Sequence, residues 1–213
     1  MNLIIMGAPG AGKGTQSEKI SEKWNIPAVS TGDMLRAAVK EGTEMGKLAK
    51  SYMDGGQLVP DDVVIGIIKD YLSSDKCSNG FILDGFPRSI PQAEALDAMG
   101  VRIDAVLSIE VPDDKIVERM SGRRICSSCG ASYHVAYKAP KTEGICDSCG
   151  SALYIRDDDA AETVLKRLTT YHNTTEPLKD YYAAKDLLIC VAGREEVKDT
   201  TADVMKALSR FEA

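Results

Sequence analysis

The sequence predicts an α/β fold built on a parallel β-sheet. Short apolar segments alternate with longer segments of helical periodicity along the 213 residues, which is typical of a parallel sheet covered by helices on both faces. The first apolar segment ends in a glycine-rich turn that leads directly into a helical segment, the context that a phosphate-binding P-loop requires. These observations predict a P-loop protein with three layers, α/β/α, around five parallel strands.

The strands are predicted at five short apolar segments. A strand that is buried on both faces of a parallel sheet is apolar along most of its length rather than at alternate positions. The segments cover residues 3–6, 26–29, 81–84, 105–111 and 187–191.

The helices are predicted from apolar spacing and from residues suited to helix ends. Ser30 and Thr31 fit an N-cap, with Asp33 favourable in the first turn. Proline followed by two aspartates, at 60–62 and again at 112–114, suits a first helical turn. The predicted helices cover residues 13–24, 31–40, 44–53, 60–72, 91–99, 112–122, a long stretch after 159, and 197–211.

Composition limits the class of protein. With 213 residues, 44% hydrophobic and 27% charged, the chain is expected to form one globular domain with insertions. The net charge of −6 gives no overall basic field for nucleic acid. No apolar run approaches the 18 or so residues of a membrane span, and the N-terminus does not resemble a signal peptide. We therefore expect a cytoplasmic protein without a membrane partner.

The glycine-rich turn departs from the usual P-loop pattern at one position. Gly7, Gly12 and Lys13 fit G-x-x-x-x-G-K, but Gly14 follows the lysine and the hydroxyl arrives one residue later, at Thr15. Glycines let backbone N–H groups surround phosphate, and the following helix adds its positive end. The alternative is a tight turn that binds nothing, and the combination of glycines, lysine and threonine between strand and helix favours phosphate.

A second polar segment, residues 84–88, follows the predicted strand 81–84. Ligands of parallel α/β sheets bind beyond the carboxyl ends of the strands. We therefore expect this segment and the glycine-rich turn to share one cleft.

Four of the six cysteines form two C-x-x-C pairs: Cys126 with Cys129, and Cys146 with Cys149. This spacing is typical of a structural zinc site, although iron can occupy such sites and two disulfides are the alternative. A cysteine ribbon also raises the possibility of a nucleic-acid-binding or scaffolding module. The balance of five basic and five acidic residues over 122–159 argues against a polyphosphate backbone partner.

Six segments, taken together and in order, resemble the adenylate kinases among the nucleoside monophosphate kinases, in the bacterial form that has a zinc-binding lid. They are GAPGAGKGT at 7–15, STGDMLR at 30–36, GGQLVPDD at 55–62, GFILDGFPRSIPQAEAL at 80–96, GRRICSSCG at 122–130 and DDDAAETVLKRL at 157–168. In that family a glycine regularly follows the P-loop lysine. The resemblance implies reversible, Mg²⁺-dependent phosphoryl transfer from ATP to AMP, giving two ADP without a covalent intermediate, by a monomer.

The resemblance also assigns residues to the site. Arg36 and Arg88 would hold the AMP phosphate, Asp84 would order the water shell of Mg²⁺, and Arg119 would stack on the ATP adenine. The implied catalytic residues are Lys13, Asp84, Arg88, Arg123, Arg156 and Arg167. The implied ATP contacts are Gly10, Ala11, Gly12, Lys13, Gly14, Thr15, Arg119, Arg123, Ser132, Tyr133 and Glu195. The implied AMP contacts are Thr31, Arg36, Gln57, Leu58, Val59, Gly85, Arg88, Gln92, Arg156 and Arg167.

The same resemblance implies a division into domains. Residues 1–29, 60–121 and 160–213 would form the P-loop core, residues 30–59 a helical AMP-binding insertion, and residues 122–159 a small β lid held by structural Zn²⁺. His134 and His172 are interpreted as structural or exposed. Two other functions remain open: a kinase acting on GMP, UMP or CMP, and a non-catalytic nucleotide- or nucleic-acid-binding zinc protein.

Overall fold

The protein is described by a computed structural model over residues 1–211, in which eight strands form two sheets. The strands are β1 (Asn2–Met6), β2 (Ala28–Ser30), β3 (Phe81–Asp84), β4 (Ala105–Glu110), β5 (Arg123–Cys126), β6 (Ser132–His134), β7 (Leu153–Tyr154) and β8 (Leu188–Ala192). The larger sheet has the order β2-β3-β1-β4-β8. All of its neighbouring strands are parallel.

Within residues 1–211, nine α-helices connect or flank the strands. They are α1 (Lys13–Trp24), α2 (Thr31–Glu41), α3 (Glu44–Asp54), α4 (Asp61–Leu72), α5 (Ile90–Ala98), α6 (Asp113–Ser121), α7 (Ala161–Thr170), α8 (Leu178–Ala183) and α9 (Val197–Leu208). A π-helical turn, Tyr171–Thr175, joins α7 to the segment that leads into α8. None of the described helices combines the length and the hydropathy needed to cross a bilayer.

The larger sheet separates two apolar cores. Side chains alternate between the faces of a strand, and in β1 Leu3 and Ile5 enter one core while Ile4 and Met6 enter the other. All four side chains are almost completely buried. The predicted three-layer fold with five parallel strands is confirmed.

Element boundaries differ from the predictions where proline is involved. The second strand covers Ala28–Ser30 instead of residues 26–29, because Pro27 has no N–H to donate to a ladder. Pro60 and Pro112 lie one residue before α4 and α6, with extended ψ angles of 139° and 147°. The last helix ends at Leu208 and continues as a 3₁₀ turn, Ser209–Phe211.

The smaller sheet lies in the segment between α6 and α7. It is antiparallel, in the order β6-β5-β7, and its own small core contains Cys126, Tyr133 and Cys146. The expected lid, residues 122–159, contains this sheet, and the expected insertion, residues 30–59, contains α2 and α3. The division into domains stays a prediction, and the last two residues of its core segment lie outside the described residues.

Substitution by alanine is expected to have opposite effects on stability at two helical glycines. In Gly46→Ala of α3, the new Cβ would lie 2.0 Å from the Ala38 carbonyl oxygen, whereas Gly66 of α4 has open space around it. We expect Gly46→Ala to lower the free energy of unfolding by about 2–3 kcal/mol. Gly66→Ala should raise it by about 0.5–1 kcal/mol, because alanine loses less backbone entropy in a helix. Urea unfolding of both variants tests this, and a shift of the same sign in both would contradict it.

Candidate active site

The turn between β1 and α1 has the backbone conformation of a phosphate loop. Gly7, Gly10 and Gly12 have φ angles of 140°, 83° and 96°, which side chains rarely tolerate. A Cβ on Gly7 would also lie 2.6 Å from the Ile109 carbonyl oxygen. No side chain caps the N-terminus of α1, so its first N–H groups can bind an anion.

Lys13 folds back over this loop. Its ammonium group donates hydrogen bonds to the carbonyl oxygens of Gly7, at 2.8 Å, and Ala8, at 2.9 Å. Burial lowers the pKa of Lys13 to about 8, while the nearby Asp84 carboxylate acts in the opposite direction. The lysine is therefore a cation in a desolvated position, where an incoming phosphate would stabilise its charge.

Asp84 ends β3 beside the loop, because β3 pairs with β1 and places Asp84 opposite Ile5. Burial raises the pKa of Asp84, and Lys13 and Arg88 oppose that shift. The carboxylate oxygen lies 3.7 Å from the point that a Cβ on Gly14 would occupy. A buried carboxylate facing the phosphate loop fits Mg²⁺, which binds proteins through few carboxylates, phosphate oxygens and water.

Arg88 is held at three points. Its backbone N–H donates to Gln92 Oε1 at 2.7 Å, and its carbonyl accepts from Thr175 Oγ1 at 2.8 Å. Its Nε donates to the Gly85 carbonyl at 2.8 Å. Thr175 belongs to the π-helical turn, so the departure from α-helical geometry there places a hydroxyl on the arginine's backbone.

Aspartates pair with the other arginines of the site. Arg123 makes a bidentate contact with Asp159, whose side chain is fully buried. Arg167 Nη1 lies 2.9 Å from Asp158 Oδ2 and 3.3 Å from Asp159 Oδ1.

A third aspartate, Asp33, pairs with both Arg36 and Arg156. Asp33 Oδ1 accepts from Arg36 at 2.5 Å and from Arg156 at 3.4 Å. Burial lowers the pKa of Arg156 to about 10, and the neighbouring Arg36 and Arg123 add to the shift. A phosphate would therefore meet a cluster of cations that repel one another.

Two cavities meet at the phosphate loop. The first contains all the predicted AMP residues except Arg156, which lines only the second. The second contains all the predicted ATP residues. Four cationic side chains line both cavities: Lys13, Arg36, Arg88 and Arg167.

His134 also lines the second cavity, whereas the sequence predicts only a structural or exposed histidine. It pairs with Arg123 across β5 and β6, so the two side chains share a face of the smaller sheet. This strand pairing, which the sequence does not reveal, brings His134 to the cavity. Its Nδ1 accepts the N–H groups of Ala136 and Tyr137 at 3.0 and 3.2 Å, and burial lowers its pKa. His172 lies at the surface, between Asp113 and Glu176.

The four cysteines of the smaller sheet can hold a metal ion. Their Sγ atoms all lie within 4.8 Å of one another, and none of the four is in a disulfide. Cys126 and Cys149 are 3.4 Å apart, and Cys129 and Cys146 are 3.6 Å apart. A tetrahedral ion with metal–sulfur distances of about 2.3 Å requires separations of about 3.8 Å, so the residues fit such an ion.

Tyr133 connects this cluster to the second cavity. Its hydroxyl lies 3.4 Å from Cys146 Sγ and accepts the Asp147 N–H at 2.8 Å. The hydroxyl therefore belongs to the surroundings of the cysteines, as outer hydrogen bonds of metal sites commonly do.

The fold and the site define a class of protein. A phosphate loop, a buried carboxylate and arginines between two cavities are the parts of a P-loop protein that brings two phosphate-bearing ligands together. The family described as adenylate kinase matches residues 5–187 of the chain.

Curated relatives agree with this match over nearly the full length. The chain is 62% identical to an adenylate kinase of Caldicellulosiruptor bescii over 212 residues, which are 98% of this chain and 99% of the relative. It is 55% identical to an adenylate kinase of Acetivibrio thermocellus over 213 residues, 98% of each chain. The chain therefore belongs to the adenylate kinase family and is a phosphotransferase of the nucleoside monophosphate kinase type.

The buried carboxylate of Asp159 predicts a large loss of stability when it is neutralised. Asp159→Asn leaves the largely buried Arg123 and Arg167 without part of their compensating charge, so the free energy of unfolding should fall by about 3 kcal/mol. Asp157→Asn, in the same turn but exposed, should change it by less than about 0.5 kcal/mol. Denaturant midpoints measure both, and equal midpoints for the two variants would contradict this role.

Proposed function

We propose that this protein transfers the terminal phosphoryl group of Mg²⁺-bound ATP directly to AMP, giving two ADP in a reversible reaction. One observation carries the proposal: Lys13, Arg36, Arg88 and Arg167 line both cavities. A group that passes from one ligand to the other must cross this junction. Phosphoryl transfer depends on positioning and on cationic stabilisation more than on a protein nucleophile.

The second cavity is proposed to bind ATP. The N–H groups of the phosphate loop and the Lys13 ammonium would hold its phosphates. Arg119 Nη2 donates to the Arg194 carbonyl at 2.6 Å, which holds one end of a planar guanidinium on which an adenine could stack. Ser132, Tyr133 and Glu195 line the same cavity.

The first cavity is proposed to bind AMP. Arg36 and Arg88 would contact its phosphate, since the planar guanidinium matches phosphate oxygens in a bidentate manner. Thr31, Gln57, Leu58, Val59, Gly85 and Gln92 would surround the nucleoside. Arg156 lies on the ATP side and pairs with Asp33, so its proposed role is at the transferring group.

Aspartate contacts with the arginines suggest how the site remains ordered without nucleotide. Asp33, Asp158 and Asp159 accept the hydrogen bonds that phosphate oxygens would take. Each arginine thus keeps a partner in the free protein. Transfer would then proceed with Arg123, Arg156 and Arg167 around the moving group.

Two metal ions are proposed. Mg²⁺, when bound with ATP, would neutralise phosphate charge, and Asp84 is the residue that would face its water shell. Zn²⁺ is the ion proposed for Cys126, Cys129, Cys146 and Cys149, because four thiolates favour it and leave no open position for catalysis. Its contribution would be structural.

We also propose that residues 122–159 act as a lid, that residues 30–59 form an AMP-binding insertion, and that the protein is a cytoplasmic monomer. The proposed lid contacts the core through partly exposed polar side chains, whose interactions can break when the lid opens. Lys138 lies 3.7 Å from Glu18 of α1, and Tyr137 donates to Glu118 of α6 at 2.8 Å. Closure would exclude water from the reacting phosphates.

A coupled assay tests the proposed reaction. Purified protein is given Mg²⁺-ATP with AMP, GMP, UMP or CMP in turn, and ADP formation is followed. ADP formation should be fastest with AMP. Absence of ADP with AMP would reject the proposal, and faster turnover with another monophosphate would favour a different nucleoside monophosphate kinase.

Loss of single arginines should slow the chemical step. Arg88→Ala and Arg123→Ala should each lower kcat at least about a hundredfold, because each removes a cation from the reacting phosphates. Arg102→Ala is the matched control, since that side chain is 90% exposed and lies outside both cavities. Wild-type kcat in folded Arg88→Ala or Arg123→Ala would contradict the assignment.

Removal of the metal should affect stability rather than turnover. Chelation is expected to lower Tm, because a segment of this size has little apolar core of its own. Turnover should stay largely intact at temperatures where circular dichroism shows the fold unchanged. Loss of activity with an intact fold would contradict a structural role.

A further inference from the structure

We propose that Asp61 is a positioning residue that fixes the orientation of the Gln92 side-chain amide and thereby favours a 6-aminopurine monophosphate over a 6-oxopurine one. The inference rests on the proposed function of the first cavity as the monophosphate site. Gln92 is 2% exposed and lines that cavity.

Each end of the Gln92 amide contacts a group that can act in only one way, either as a donor or as an acceptor. Its Oε1 accepts the Arg88 backbone N–H at 2.7 Å, and its Nε2 donates to Asp61 Oδ1 at 2.7 Å. A backbone N–H can only donate and a carboxylate can only accept. One of the two amide orientations therefore satisfies both contacts, and the other satisfies neither.

The rejected orientation would be costly in this position. It would place the amide NH₂ against the Arg88 N–H and the amide oxygen against the Asp61 carboxylate, each at about the same short distance. Buried polar groups without partners cost free energy, and like partial charges that face each other add to it. The carboxylate itself is held, because Asp61 Oδ2 accepts from Ser89 Oγ at 3.0 Å.

The sequence around Gln92 gives a different expectation for its side chain. Ser89-x-x-Gln92 has the pattern of a capping box, in which the glutamine amide reaches back to the N–H of the cap residue. Ser89 does cap α5 and accepts the Gln92 N–H at 3.3 Å. The Gln92 side chain instead reaches Arg88 and Asp61, so it connects the start of α4 to the start of α5.

A fixed amide leaves one donor and one acceptor for a ligand: the second hydrogen on Nε2 and the second lone pair on Oε1. Adenine presents the complementary pair along one edge, an acceptor at N1 and a donor at the 6-amino group. Hypoxanthine and guanine present the reverse, a donor at N1 and an acceptor at O6. For a base in the same pose, a flipped amide would fit the 6-oxopurine.

The hydroxyl of Thr31 is also restricted to one hydrogen-bonding role toward a ligand. Its hydroxyl donates to the Gly85 carbonyl at 2.8 Å, and the residue is 2% exposed in the same cavity. Its hydrogen is therefore committed, and it can offer a base only an acceptor. Both polar side chains thus favour a base that carries its exocyclic amino group at position 6.

The experiment compares AMP with inosine 5′-monophosphate as phosphoryl acceptors at saturating Mg²⁺-ATP. In Asp61→Asn, the new amide can donate as well as accept, so only the Arg88 N–H still disfavours the flipped orientation of Gln92, and that orientation becomes accessible at a lower cost. We expect the ratio of kcat/KM for AMP to kcat/KM for inosine monophosphate to fall roughly tenfold or more, with KM for ATP changed less than about twofold. Asp62→Asn, at the exposed neighbouring position, should keep the wild-type ratio.

If Asp61 had a purely structural role, Asp61→Asn would lower kcat/KM equally for AMP and for inosine monophosphate. An unchanged ratio of the two values would therefore overturn the inference. Failure of the proposed function would give a different result, because in that case the wild-type protein itself would form no ADP from AMP. Thermal melting of each variant establishes that the assay temperature lies below Tm. If Asp61→Asn does not fold, Asp61→Ser takes its place, because a hydroxyl also donates and accepts, and the same fall in ratio is expected.

Discussion

Repulsion among buried and half-buried cations is the constraint on which the rest of this structure depends. A lysine and five arginines lie around one phosphate loop. Desolvation lowers the pKa of Lys13 and of Arg156, and repulsion from neighbouring arginines lowers both further. Such a cluster would be unstable without anions, so Asp84 and the aspartates at 33, 158 and 159 are as much part of the site as the cations. Phosphates and aspartates are alternative partners for the same guanidinium groups.

The fold meets this constraint by bringing distant segments of the chain to one edge of the sheet. The carboxyl ends of β1 and β3 place the phosphate loop and Asp84 side by side, while α2, the smaller sheet and α7 bring arginines from three other directions. Some of the charge pairs join different segments, as in the contact between Arg123 of β5 and Asp159 just before α7. Charge balance is therefore distributed over elements that the sequence separates widely.

The sequence predicted the sheet, the helices and most of the cavity lining, because apolar periodicity, glycine turns and spaced cysteines are local signals. It did not predict features that arise from tertiary contact. His134 lines a cavity because β6 pairs with β5, and Arg156 lies on the second cavity because Asp33 holds it from α2. The residues around Gln92 have a local capping pattern, but the side-chain amide of Gln92 instead bonds to Asp61 at the start of another helix. No local pattern in one sequence encodes that contact.

The π-helical turn Tyr171–Thr175 limits how this protein can change in length. A π turn accommodates one residue more than an α-helix would in the same span. Deleting one residue would allow an α-helix to cover the same span with the flanking residues in register, but the side chains within the turn would shift around the helix axis by up to about 100°. The Thr175 hydroxyl would then leave the Arg88 carbonyl. The extra residue of this turn therefore serves the site from a distance, because a single-residue deletion here would free the backbone of an arginine that lies beside the phosphate loop.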